Sequence, residues 1–355
     1  MRQFLLAIAF ALTCTVAAAQ NAYVANNGSD NVSVINTATN TVTATVVVGS
    51  GPFGVSVSPD ASRVYVTNSV DDNLSVIDAA TNTVIATVPV GLEPRGVALS
   101  LNGLRAYIAN YNGANISVIN TATNTVAATV AVGNRPQGVA VSPDGLKVYV
   151  TNTGSDSVSV INTASNTVAA TVTVGTYPIG VSVSPDGSKV YVVNYSSSDV
   201  SVINTTSNTV TFTVPLTGGA LPIAVAVSPN GLTAYVANSG GGSVSVINTT
   251  TNTVAAIVPV GNTPQGVSVT PDGSKAYILN NNVTVIDTAT NTVADTVAVG
   301  ANPAALGNFI GSVPAPSPPT PVPTLSQGAM ILLGLIFAGG AAVMIHQRRG
   351  PYPVM

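Results

Sequence analysis

At 355 residues the chain is long enough for two or three ordinary domains, yet only 6% of it is charged and 46% is apolar, against roughly a quarter charged in a typical soluble protein. A net charge of −3 and the absence of tryptophan exclude the basic, stacking surface of a nucleic-acid binder. The single cysteine, Cys14, and the single histidine, His346, lie near the two ends, which excludes disulfides, a C-x-x-C-H haem motif, zinc spacing and a histidine base between them.

The first segment, residues 1–19, is a signal peptide. Arg2 precedes an apolar run from Phe4 to Val16, and Ala17-Ala18-Ala19 supplies an A-x-A ending that places cleavage after Ala19. The alternative is a lipoprotein signal acylated at Cys14, for which Ala11-Leu12-Thr13 lacks the expected upstream leucine.

Residues 20–311 are one unit written seven times. The motif Val64-Tyr65-Val66-Thr67-Asn68 returns with tyrosines at Tyr23, Tyr65, Tyr107, Tyr149, Tyr191, Tyr235 and Tyr277, spaced 42 residues apart except for one step of 44. Such a period with short β-type runs predicts an all-β fold, a seven-bladed β-propeller of four-stranded antiparallel blades. In the fourth unit, Gly138 to Val141 is a first strand, and Ser142-Pro143-Asp144-Gly145 reads as a type I turn. Lys147 to Thr151 and Val158 to Ile161 are the second and third strands, and Thr167 to Val174 is a β-branched fourth. The N-terminus begins at a second strand (Ala22 to Asn26), while a spare first strand, Ala305 to Ile310, follows Pro303. These halves are expected to pair, so that N- and C-terminal strands close the first blade and no sheet edge is left open.

The recurring P-x-G-V start (Pro136, Gly138, Val139), S-P-D-G turn, Tyr-Val-x-Asn strand and V-S-V-I-[ND] strand resemble the YVTN family of β-propeller repeats. The resemblance covers about 290 residues and implies an exported or surface-associated protein. The chain departs from the pattern at Ala224, which replaces the glycine of one unit, at the additional Gly218-Gly219, and in a shortened loop at Asn281-Asn282.

Comparison among the repeats separates scaffold from candidate site. The S-P-D-G and Thr/Asn turns share one face and barely vary. The opposite face carries the loop leading into each blade and the loop after each Tyr-Val-x-Asn strand, and these vary freely. Candidate ligand-binding residues there are Phe53, Glu93, Arg95, Tyr111, Arg135, Gln137, Tyr177, Tyr195 and Gln265. Rings, guanidinium groups and amides round a channel mouth suit stacking on, and hydrogen bonding to, a glycan or a protein; the alternative is drift in unselected loops. The repeated tyrosines read as packing residues. Arg63, Arg105, Lys147, Lys189 and Lys275 stand three residues after the turn positions occupied by Asp60, Asp144, Asp186 and Asp272 in four of the five cases, which predicts mutual compensation on a solvated rim. Asp71-Asp72, with Asp30 or Asp156, is an acidic set without the spacing of a known calcium loop; no metal site, no cofactor and no catalytic residue is expected. A lactonase-like hydrolase would share the fold alone.

Residues 312–323 hold six prolines in twelve positions, a polyproline stalk of about 37 Å. Residues 324–355 carry the sorting motif, a transmembrane helix and a basic tail. Val322-Pro323-Thr324-Leu325-Ser326, the apolar run from Gly328 to Ile345 and the pair Arg348-Arg349 resemble the IPTL-type relatives of the PEP-CTERM sorting signals. The apolar run would span about 27 Å, enough for a bilayer core, and the arginines place the C-terminus inside. That resemblance implies an exosortase-type sorting protease as partner. The membrane would hold the helix before processing, and the destination would be the cell surface or extracellular matrix of a Gram-negative bacterium. A retained single-span anchor is the alternative. Together these readings predict a non-catalytic exported surface protein that binds or adheres through its variable face, or else a purely structural coat component.

Overall fold

A computed structural model describes residues 20–311. The expected signal cleavage at Ala19, the proline-rich stalk, the sorting motif and the transmembrane helix lie outside the described residues. Those described form seven four-stranded antiparallel sheets in sequence order around a ring. Blade one takes Asn21–Asn26, Asn31–Asn36, Thr41–Val47 and the C-terminal Pro303–Ala304. Blades two to seven span 52–89, 94–131, 136–173, 178–215, 222–259 and 266–297. Each blade runs from an innermost first strand to an outermost fourth, as Pro136–Val141, Lys147–Asn152, Ser157–Asn162 and Thr167–Thr173 do in blade four.

The strands follow from alternating β-branched residues, and the turns from local side-chain chemistry. In blade four the Ser142 hydroxyl donates to Asp144 Oδ1 (2.5 Å) and so does the Leu146 N–H (2.9 Å), which leaves Gly145 in the left-handed region at φ +72°. At the other turn Asn162 Oδ1 accepts from Ala164 and Ser165 N–H groups, an Asx-type closure. Second and third strands are buried on both faces, whereas the fourth alternates, because only the inner strands are covered by blades on either side. All seven repeated tyrosines are at most 3% exposed. They are packing residues, and burial raises the phenol of each above its usual range.

The basic residues of the invariant face form no salt bridge with the turn aspartates among the described residues, although, after the Ser142 hydrogen bond, the charge of Lys147 still helps to lower the Asp144 carboxyl. Arg63, Lys147, Lys189 and Lys275 reach instead to the next blade and donate to the carbonyls of Thr121, Thr205, Thr249 and Thr37. The aspartates are occupied by their own turns, so the long side chains find the nearest uncommitted acceptor across the blade interface.

In blades two to six the first strand carries a bulge after its proline, as between Pro136 and Val139 in blade four. The bulge carbonyl points at the glycine of the preceding blade: a Cβ on Gly96 would stand 2.2 Å from Gln137 O, and one on Gly138 2.3 Å from Ile179 O. Glycine is therefore a contact requirement at these positions.

Closure of blade one differs from expectation in one respect. The strand foreseen over Ala305 to Ile310 is shortened to Pro303–Ala304, paired with Asn26 and Ala25, plus an isolated bridge from Ile310 to Ala22. Between those pairings the C-terminal side has three more residues than its partner, and the excess swings into the channel. Leu306 O accepts from Val97 N–H of blade three (3.4 Å), and Asn308 O from Val57 N–H of blade two (3.0 Å). Gly307 adopts φ +143° between Val55 O and Val97 O, a conformation open to glycine alone.

Candidate functional site

The lead-in residue just before each blade's proline lies in the left-handed region in all seven repeats: Gly51, Glu93, Arg135, Tyr177, Leu221, Thr263 and Asn302. Aspartates of the preceding loop hold several of these turns, since Asp30, Asp72 and Asp156 accept the N–H groups of Gly51, Glu93 and Tyr177 at 2.9, 2.7 and 2.8 Å. Asp71 likewise accepts from Ser50 N–H (2.7 Å). These carboxylates stitch loops together, and no group of three His, Cys, Asp or Glu side chains gathers as a metal site among the described residues.

The turns aim their side chains at one sector of the face, over blades two to five. Arg95 stacks on the Tyr111 ring, its Cζ 3.7 Å from the centroid, and stands 5.4 Å from the Phe53 ring. Its Nη2 donates to Glu93 Oε1 at 2.5 Å, and the other Glu93 oxygen accepts from Asn112 Nδ2. Arg135 approaches the far side of the cluster, 5.9 Å from the same tyrosine. Tyr177 and Tyr195 form a tilted pair with centroids 5.8 Å apart. Burial raises the Tyr111 phenol; the neighbouring Tyr177 hydroxyl adds to that and Arg95 and Arg135 oppose it. Phe53, Tyr177, Tyr195 and Ile223 pack against the buried cluster to which Ile179 and Leu306 belong.

Seven of the nine residues singled out in the sequence thus belong to one arc: Phe53, Glu93, Arg95, Tyr111, Arg135, Tyr177 and Tyr195. Gln137 does not present its amide outward; it is 5% exposed, and its Oε1 accepts from the Thr153 hydroxyl. Gln265 belongs to blade seven, where its backbone N–H donates to Leu279 O (2.6 Å). Ile179 and Ile223 occupy the same position after the proline as Phe53 and Arg95, whereas the parts played by Asn112, through Glu93, and by Leu306, through ring closure, were not legible in the sequence.

The channel mouth expected on this face is shut, since Leu306 and its neighbours fill it. A cavity of about 700 Å³ opens instead on the invariant face, walled by Ser56, Ala98, Ala140, Ser182, Ala226 and Ser268 and floored by Leu306 and Gly307.

The YNCE-like beta-propeller family matches residues 5–308. The chain belongs to that family. A second match places the IPTL-CTERM motif at residues 320–349, which marks an exported surface protein and implies processing by a sorting protease of the exosortase type. Hydrazine synthase of Kuenenia stuttgartiensis is similar at 26% identity, with a TM-score of 0.69, over 75% of this chain and 92% of that one. A 6-phosphogluconolactonase candidate from Bacteroides uniformis is similar at 21% identity and a TM-score of 0.68, over 79% and 97%; that likeness concerns architecture alone. PE-PGRS family protein PE_PGRS18 of Mycobacterium tuberculosis is 59% identical over 39 residues, which is 11% of this chain and spans 8% of that relative's length.

Proposed function

We propose that this family member is a non-catalytic surface or extracellular-matrix protein that binds a glycan or protein partner through the arc formed by Phe53, Glu93, Arg95, Tyr111, Arg135, Tyr177 and Tyr195. The observation that carries this reading is an internal control on backbone cost. On the invariant face thirteen turn residues have left-handed φ, and all but Ala61 are asparagine or glycine. At the seven lead-in positions of the variable face only Gly51 and Asn302 are. A residue with a bulky side chain in that region costs about 1 kcal/mol or more, and drift under selection for folding favours the cheap residues. Glutamate, arginine and tyrosine persist there in consecutive blades, Glu93, Arg135 and Tyr177, where they build the arc. Leu221 and Thr263 carry the same cost outside the arc; what supports function at Glu93, Arg135 and Tyr177 is that their side chains gather with Arg95 and Tyr111 into one cluster.

The sorting motif supports the location. Residues 20 and 311 both lie at the invariant face, where Gly311 N–H donates to Asn21 O (3.2 Å). Export with the membrane as a transient anchor, and release to the surface by the sorting protease, complete the reading. The regular ring and near-absent charge favour one alternative, a coat component that assembles without a ligand.

The test is a glycan array and a cell-surface binding assay with the wild type, Tyr177→Asn and Arg95→Gln. Asparagine keeps the left-handed turn while removing the ring. At least tenfold weaker binding in both variants, with unchanged melting, is the expected outcome. Equal binding by all three proteins would overturn the assignment of the arc, and concentration-dependent assembly without any ligand would support the coat.

A further inference from the structure

The axial cavity has no part in the arc, and its construction is specific. A plain seventh inner strand would leave a tube through the ring. Instead the three additional residues of the C-terminal segment lay Leu306 and Gly307 across it, with Gly307 wedged between the carbonyls of Val55 and Val97. The result is a blind pocket of about 700 Å³, within the roughly 300–1,000 Å³ of small-molecule sites.

Its lining contains no charged side chain and is predominantly valine, alanine and proline. Some of the hydroxyls near the rim are already committed, as Ser58 and Ser142 donate to Asp60 and Asp144. Deeper in the wall, Ser56 is 3% exposed, lines the cavity and makes no side-chain hydrogen bond among the described residues. Asn308 Oδ1 accepts from the Ser268 hydroxyl at 2.9 Å, which leaves the Asn308 amide N–H groups for another partner. The Ser56 hydroxyl in the wall and the exposed Asn308 amide both line the cavity and offer hydrogen bonds to an occupant. An ion would lose its hydration with no opposite charge to meet it.

We propose that the axial cavity is a second binding site, taking a neutral small molecule with an apolar body and one or two hydrogen-bonding groups directed at Ser56 and Asn308. It is independent of the arc, because the Leu306 plug separates the two.

The experiment titrates the full chain with Nile red, a neutral dye that brightens in apolar surroundings, and in parallel with the anionic anilinonaphthalene sulfonate. Ala140→Phe places a ring in the cavity from the wall. Saturable one-to-one Nile red binding is expected, weakened at least tenfold in Ala140→Phe and unchanged in Tyr177→Asn, with the sulfonate at least tenfold weaker than Nile red. If Ala140→Phe does not fold, Ala98→Val and Ser56→Ala carry the comparison and are expected to weaken the dye severalfold. No saturable binding, equal affinity for the two dyes, or binding unaffected by the cavity variants would overturn the proposal.

Discussion

The sharpest prediction concerns the glycine that lets neighbouring blades touch. Replacing Gly138 by alanine puts a Cβ 2.3 Å from Ile179 O, 3.0 Å from Thr151 Oγ1 and 3.2 Å from Val181 Cγ1. A carbon and a carbonyl oxygen settle at about 3.3 Å, so close to 1 Å of overlap must be relieved. Both atoms of the worst contact are fixed to backbone, and the ring is closed, so the two inner strands cannot separate without moving their neighbours. Overpacking of this kind costs about 3 kcal/mol, a fall in Tm of about 5 °C for a domain of this size. Gly145→Ala is the control. Gly145 has φ +72° and nothing within 4 Å of the added Cβ, so it bears only the left-handed cost of about 1 kcal/mol. Blade six shows how the clash is avoided: Ala224 pairs directly with Ala237 in a different bulge register, after the additional Gly218-Gly219. Thermal unfolding by circular dichroism measures all three proteins. A Gly138→Ala protein melting within 1 °C of wild type, or above Gly145→Ala, would refute the contact argument.

Other consequences follow from the same geometry. Tyr277 closes the seam between blades seven and one by donating to Asn40 Oδ1 at 2.6 Å, so Tyr277→Phe is expected to cost about 1 kcal/mol. Tyr149→Phe removes a buried hydroxyl that has no partner among the described residues and is expected to be neutral or stabilising; the reverse ranking in denaturant titration would contradict the seam. Thr263, a β-branched residue at φ +47°, should become more stable by about 1 kcal/mol as Thr263→Asn, and a lower Tm would count against the strain reading. Hydrogen bonds from the Ser184 hydroxyl, then from Ser188, depress the Asp186 carboxyl to about 2. A depressed carboxyl stabilises the fold above its unfolded value of about 3.9, and this is lost as pH falls from there towards 2. Asp186→Asn, which copies the asparagines at 102 and 230 in the same turn, should fold and show a shallower loss of Tm over that window. An unchanged acid profile would remove Asp186 from the account.

Repetition made the scaffold readable from the chain alone. Seven copies of the tyrosine strand, each flanked by proline, glycine and asparagine at fixed offsets, specify strand, turn and blade locally, so the all-β ring and the packing role of the tyrosines followed without coordinates. The same comparison among copies picked out Phe53, Arg95, Tyr111 and Tyr177 as departures worth weighing. Three things depended on closure of the ring. Arg95 meets Phe53, and Arg135 meets Tyr111, across blade boundaries, while Gln137 is turned inward, because a bulge and a left-handed turn set side-chain direction and neither has a distinctive sequence of its own. The basic residues cross to the next blade, since their own aspartates are already used. The last strand becomes a plug, because its pairing leaves three residues in excess and the only room for them is the axis. Local patterns repeat along the chain and can be counted there; contacts between repeats, and the single place where the symmetry fails, exist only once all seven blades stand around one centre.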